Sequence, residues 1–304
     1  MNPRTVRLAT RSSPLARLQT SLVADALLAS DPQLLVEVVV VDTTGDRHLE
    51  VPLEEIAGRG VFTNEVDAAV AEGRADAAVH SAKDLPSTEP AGAPRIAAVL
   101  PRGDARDALV GGRLEDLPAG AVIATGAPRR RVQLSAIRPD LGFVSLRGNI
   151  GTRLGKVPQG GAIVVALAAL ERLGLASQAD EVLSLIDVLP QVGQGVIAVR
   201  CDPAAEGLIE LFGAIDHDPT HRALDAERAF LGRLGGGCDA PVGAYATFGE
   251  CTDEIKIEAM IASGDGHVVL RRRHRGNDPA QVGVELAEMM IGRDGASSLG
   301  GGIT

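Results

Sequence analysis

The stretch "VRLATRSSPLARLQTSLVADALLASDPQLLVEVVVVDT", residues 6–43, carries the first decision about the fold. "VRLAT" is a short run of strand-forming residues. Ser13-Pro14 then supplies an N-cap and a first helical residue, because Pro needs no N–H there and its fixed φ suits the helix. A helical pattern follows from about Pro14 to Ala29, and "VEVVVVDT" returns to β-branched strand formers. Strand, helix, strand within forty residues is βαβ grammar, which implies a largely parallel sheet with helical crossovers.

Working outward, a helix from about Thr63 leads into "ADAAVHSA" and then "RIAAVLP". A second set begins with "AVIATG", a helix starting at Pro128, "FVSLRG", a helix from about Asn149, and "AIVVAL". It closes with "GQGVIAVRC". A third section opens at Asp218-Pro219, runs as a helix to the triple glycine, and continues as three strands and an amphipathic helix from Pro279. The expectation is two α/β lobes and a smaller C-terminal α+β domain. In open α/β sheets ligands sit beyond the carboxyl ends of strands, and Arg11, Lys83, Asp84, Arg129, Arg130 and Arg147 all fall at such ends. These strand ends are expected to converge on a basic cleft.

Bulk composition narrows the function. The 304 residues carry a net charge of −10, and aromatic residues make up 2% of the chain. Base-stacking platforms need exposed rings, and phosphate backbones need a net basic surface, so nucleic-acid binding is not expected. No apolar run approaches the ~20 residues of a membrane span. Of the 30 basic residues 27 are Arg, and their planar forks suit carboxylates. The three cysteines, 201, 238 and 251, form no C-x-x-C and no Cys/His ligand set, so no metal is expected. Their odd count fits a reducing cytoplasm.

Several stretches bear chemistry. "HSAKDLP" (80–86) sets an amine beside a carboxylate after a buried strand. Asp84 there can act as general acid/base or hold a developing cation, with Lys83 on an anion; equally, the stretch can be a strand-end turn closed by Asp and Pro. "TGAPRRRVQL" (125–134) puts cations at a helix N-terminus, where the macrodipole disfavours them unless an anion binds. "SLRGNIGTRL" (145–154) repeats the theme with Arg147, Gly148 and Arg153. Together these two point to a phosphate or carboxylate site, though not a P-loop, since the G-K-[ST] ending is absent. "GRGVFTNEVDAAV" (58–70) is a glycine-hinged loop running into a helix that serves either as a lid or as a plain connection. His217 and His221 have metal-like spacing, but His217 precedes the helix cap and the pair need not share a face. Cys238 follows three glycines, where nearby arginines would make a thiol reactive.

Taken in order, "RLATRSSPLARLQ", "GRGVFTNEV", "ADAAVHSAKDLP", "RDAL", "APRRRVQL", "SLRGNIGTRL", "LERLGL", "VGQG" and "GGGCDAPVGAYA" resemble the porphobilinogen deaminase (hydroxymethylbilane synthase) family over about residues 4–292. The resemblance implies two domains like type-2 periplasmic binding proteins plus a smaller third. Domain 1 would span 1–100 and 196–217, domain 2 101–195 and domain 3 218–304. It implies a dipyrromethane cofactor, bonded as a thioether to Cys238, and porphobilinogen and linear pyrrole intermediates as ligands. Asp84 would be the catalytic carboxylate. Lys83, Asp84, Thr125, Arg129, Arg130, Gly148, Arg153 and Ser13 would contact the cofactor. Arg11, Ser13, Gln19, Phe62, Arg147, Arg153 and Arg172 would bind substrate, with Arg59 and Gly60 in the lid. The family implies a cytoplasmic monomer of the tetrapyrrole and heme pathway.

The chain departs from the family pattern at Glu55 and Arg59, where lid lysines are usual, and at Thr125-Gly126-Ala127 in place of Thr-Ser-Ser. Each lost hydroxyl contact to a charged partner costs about 1.5–3 kcal/mol. A non-catalytic binder of polycarboxylates on the same bilobal fold is the rival reading. A cysteine redox sensor would need a resolving thiol that the spacing does not supply.

Overall fold

The computed structural model describes residues 4–43, 63–89, 92–235, 241–248 and 253–299. The chain forms two compact units, Met1–Gly103 with Val196–His221, and Asp104–Gly195 with Arg222–Thr304.

In the first unit β1 (Thr5–Arg11), α1 (Pro14–Ser30) and β2 (Leu35–Val41) realise the opening βαβ pattern. Ser13 caps α1, its side chain accepting from the Ala16 N–H at 3.3 Å. Next come α2 (Asn64–Ala71), β3 (Ala77–Ser81), a 3-10 turn at Ala82–Asp84, and β4 (Arg95–Val99). The sheet order is β2-β1-β3-β10-β4, where β10 is Ile197–Cys201. β1 pairs in parallel with β2 and β3, whereas β10 runs antiparallel to both β3 and β4. The expected parallel sheet therefore contains one reversed strand, supplied by the chain on its return. Alternation along β1 sends Val6 and Leu8 to a core with Val23 and Leu27 of α1, and Ala9 to the opposite core with Val66 and Val70 of α2. Both faces are covered, as sheets built from βαβ crossovers require. α6 (Glu206–Gly213, following β10) adds Phe212 to the first core.

The second unit holds the order β7-β6-β8-β5-β9. Its strands are β5 (Asp107–Val110), β6 (Val122–Ala124), β7 (Gly142–Val144), β8 (Ala162–Ala166) and β9 (Glu181–Val182). β6 is parallel to β7 and β8, and β5 is the reversed strand. Helices α3 (Pro128–Ile137), α4 (Ile150–Leu154) and α5 (Leu167–Arg172) follow β6, β7 and β8. Every residue of β8 is buried, which explains the unbroken apolar run "AIVVA". The same unit carries a three-stranded antiparallel sheet, β11 (Val242–Phe248), β12 (Ile255–Ala262) and β13 (Val269–Gly276). Helices α7 (Asp218–Leu234) and α8 (Pro279–Gly292) pack on it through Phe230, Leu234, Leu286 and Met290. "RRRHR" lies on the edge strand β13, with Arg271 and Arg273 both paired to Glu258. The mixed α/β architecture with a smaller α+β part agrees with the expectation from the sequence.

Candidate functional site

Parallel strands end at the same edge of a sheet, so in the first unit the residues after β1 and β3 become neighbours. Arg11 closes β1, and Ser13 opens α1 immediately beyond it. Lys83 and Asp84 stand half-buried on the 3-10 turn after β3. Two contacts hold this turn to the edge. The Ala82 N–H donates to the Val196 carbonyl at 3.0 Å, and the side chains of Ser81 and buried Gln19 exchange hydrogen bonds at 2.9 and 3.1 Å. Gln19 thus contacts the strand end that carries the Lys-Asp pair.

In the second unit the same logic gathers Thr125 after β6, Arg147 and Gly148 after β7, and α5 after β8 with Arg172 in its last turn. Thr125 is buried, and its hydroxyl accepts from the Ala127 N–H at 3.2 Å. Gly148 has φ of 113°, and a Cβ there would fall 2.8 Å from Thr152, so only glycine fits. Its carbonyl accepts from Arg153 Nε at 2.7 Å, which orients that side chain on α4. Arg172 donates to the Gly195 carbonyl at 2.6 Å. Burial pushes the pKa values of both Arg147 and Arg172 down, so an anion beside either would be favoured.

Arg129 and Arg130 behave differently from exposed carboxylate forks. Both are buried on α3, 3% and 6% exposed, and both grip Asp107, at 2.8 and 2.6 Å. Asp107 opens β5 opposite Ala166, the last residue of β8, which brings its carboxylate to this edge. Arg129 also donates to the Leu189 carbonyl, and Arg130 to that of Val164 at 3.0 Å. Gln194 Nε2 bridges Asp107 and the Ala105 carbonyl, at 2.8 and 2.7 Å. Burial alone would raise the Asp107 pKa, but the two guanidiniums overcome it and hold the group far below the usual carboxylate range. The anion that the cationic helix start demands is thus internal. The Nε–H of each arginine is itself buried and has no hydrogen-bond partner among the described residues.

Asp107 and Gln194 were missed as site residues by sequence reasoning. The available signal was an acid opening the buried run "ALV" two elements before a helix start crowded with arginine. Cys238, Glu55, Arg59, Gly60 and Phe62 lie outside the described residues. Cys201 is buried within β10, and burial raises its thiol pKa, so it is poorly suited to reaction. His217 and His221 bind Thr220 and Asp216 respectively, each at 2.9 Å. Among the described residues no cluster could hold a metal, and no helix is long and apolar enough to cross a membrane.

Solved structures with some likeness include an OxyR2 regulatory domain from Vibrio vulnificus, 15% identical, covering 71% of this chain and 96% of that one, with a TM-score of 0.40. A TRAP periplasmic solute binding protein from Desulfovibrio salexigens is 9% identical over 76% of this chain and 75% of its own, with a TM-score of 0.41. Sequence families are more specific. Residues 6–210 match the model described as porphobilinogen deaminase, dipyromethane cofactor binding domain, and residues 222–292 match porphobilinogen deaminase, C-terminal domain. With its two matched parts in order along nearly its whole length, the chain belongs to the porphobilinogen deaminase family.

Proposed function

We propose that the chain acts as a hydroxymethylbilane synthase, joining four porphobilinogen units with loss of ammonia at each step and releasing the linear tetrapyrrole by hydrolysis. The observation that supports this reading beyond membership of the family is the turn after β3, braced at Ser81 and Ala82, whose next residues are Lys83 and Asp84. Ammonia loss leaves a substrate cation delocalised onto the pyrrole nitrogen. A carboxylate already held in place stabilises that charge without reorganising, and it accepts a hydrogen bond from the ring N–H. Asp84 can also take up the proton that the attacking ring gives up as the new carbon–carbon bond forms.

A dipyrromethane, when bound, supplies the first nucleophilic pyrrole carbon. The residues present fit such a polycarboxylate. Arg129 and Arg130 share the single charge of Asp107, so their cluster keeps a net positive charge, and Arg147 and Arg172 carry charge that burial disfavours. Thr125, Gly148, Arg153, Ser13 and Lys83 complete the set that would hold it, with Cys238 as the thioether attachment. Arg11, Gln19, Phe62, Arg147, Arg153 and Arg172 would receive substrate, and Arg59 and Gly60 would form the lid. The proposal includes the division into three domains and a cytoplasmic monomer.

Intact-mass measurement tests it. The purified protein should carry an adduct of two pyrrole units that is lost in Cys238→Ala and kept in Cys201→Ala. Asp84→Ala should keep the adduct and lose turnover. An unmodified mass after ordinary expression would reject the covalent primer, and normal turnover in Asp84→Ala would reject the role of Asp84.

A further inference from the structure

Along β3 and β10, in the elements that lead to and from the Lys83-Asp84 turn, lies a charged network that the reaction does not itself call for. Arg200, on β10, is 1% exposed and among the largest fully buried side chains. One of its terminal nitrogens pairs with Asp67 of α2. The other pairs with Glu89 at 2.7 Å and donates to the Pro94 carbonyl. Asp67 in turn meets Nε2 of buried His80 at 2.9 Å. His80 lies in β3, four residues before Asp84, and Glu89 lies five residues after it. The ten-residue segment that carries Asp84 is therefore linked to one guanidinium at both ends, directly at Glu89 and through Asp67 at His80.

A buried ion pair is weak evidence of stabilisation, because removing charges from water offsets much of their attraction. Its geometric consequence is firmer. A guanidinium is a planar fork whose donors stand at fixed angles, so partners bound to its two arms are fixed relative to each other. The segment between is short, contains Pro86 and has no glycine, so closing it at both ends leaves it little freedom.

We infer that Arg200 is a positioning residue for Asp84, acting through Asp67 and His80 on one side and Glu89 on the other. The inference rests on the proposed role of Asp84. It assigns Arg200, Asp67 and Glu89 the task of holding the carboxylate where charge develops, with no contact to the reacting atoms.

The test uses the holoenzyme and two variants. Arg200→Met removes both arms and risks the fold, so Glu89→Gln, which keeps shape but drops charge on one arm, is the decisive change. Glu89→Gln should lower kcat between about tenfold and a hundredfold, since small misplacements of a catalytic group have effects of that size. KM should stay within about twofold, as expected when only the chemical step is touched. Tm should move by no more than ~3 °C. Amide hydrogen exchange in residues 82–88 should rise about tenfold, with other segments unchanged. A merely structural role would lower Tm and leave kcat per loaded enzyme alone. Wild-type kcat, or lowered kcat with unaltered exchange at 82–88, overturns the inference. Asp84→Ala is assayed alongside. If that variant keeps turnover, the catalytic reading has failed, and the exchange result alone decides whether Arg200 holds the turn.

Discussion

Asp107→Ala tests the account of the arginine-rich edge most severely. The carboxylate is fully buried and receives Arg129 at 2.8 Å, Arg130 at 2.6 Å and Gln194 at 2.8 Å. Truncation leaves two adjacent guanidiniums out of water, each retaining one carbonyl acceptor, Leu189 and Val164. Removing one partner of a buried ion pair costs about 3–5 kcal/mol. At ~2–4 °C per kcal/mol for a body of this size, Tm should fall by about 6–20 °C. Asp107→Asn keeps the shape and one acceptor, so it should cost less, about 1–3 kcal/mol. Chemical denaturation followed by circular dichroism measures both. A loss below about 1 kcal/mol in Asp107→Ala would show that the arginines are compensated elsewhere, and the idea of an internal anion would fall.

Two further outcomes follow from the same edge. The Asp107 pKa is depressed on folding, so its contribution is complete above the unfolded carboxylate value of about 3.9 and is lost as the pH falls toward the folded one. Asp104, held down by its hydrogen bonds to Arg106, acts in the same direction. Stability should therefore be level from about pH 7 to 5 and decline below about pH 4, with a shallower decline in Asp107→Ala; equal slopes would refute the assignment. Gly126→Ser would restore the hydroxyl that the family pattern expects, yet a Cβ there falls 2.9 Å from the Leu146 carbonyl oxygen. The variant should lose about 1–3 kcal/mol by overpacking, and a neutral or stabilising result in denaturant would show that the loop after β7 yields freely.

Much of the fold was legible because its signals are local. Ser13-Pro14, Pro128 and Asn149 mark helix starts through capping chemistry that operates within four residues, and α1, α3 and α4 begin there. The β8 run is apolar throughout because both faces of its sheet are covered. Strand direction was less legible. "GQGVIAVRC" reads as a strand, but nothing in it says that β10 enters reversed between β3 and β4, because that order depends on where the returning chain finds an open edge.

By itself, the sequence determined the alternation of elements, the family and the edge at which the chemistry-bearing residues stand, since periodicity, caps and motif order are properties of neighbouring residues. Only the tertiary structure decided what the arginines do there. Arg129 and Arg130 meet an acid more than twenty positions earlier in the chain, and Arg200 meets Asp67 across more than a hundred. A buried charge is compensated by whichever opposite charge the folded chain brings within about 3 Å, and that proximity exists only once the strands have paired.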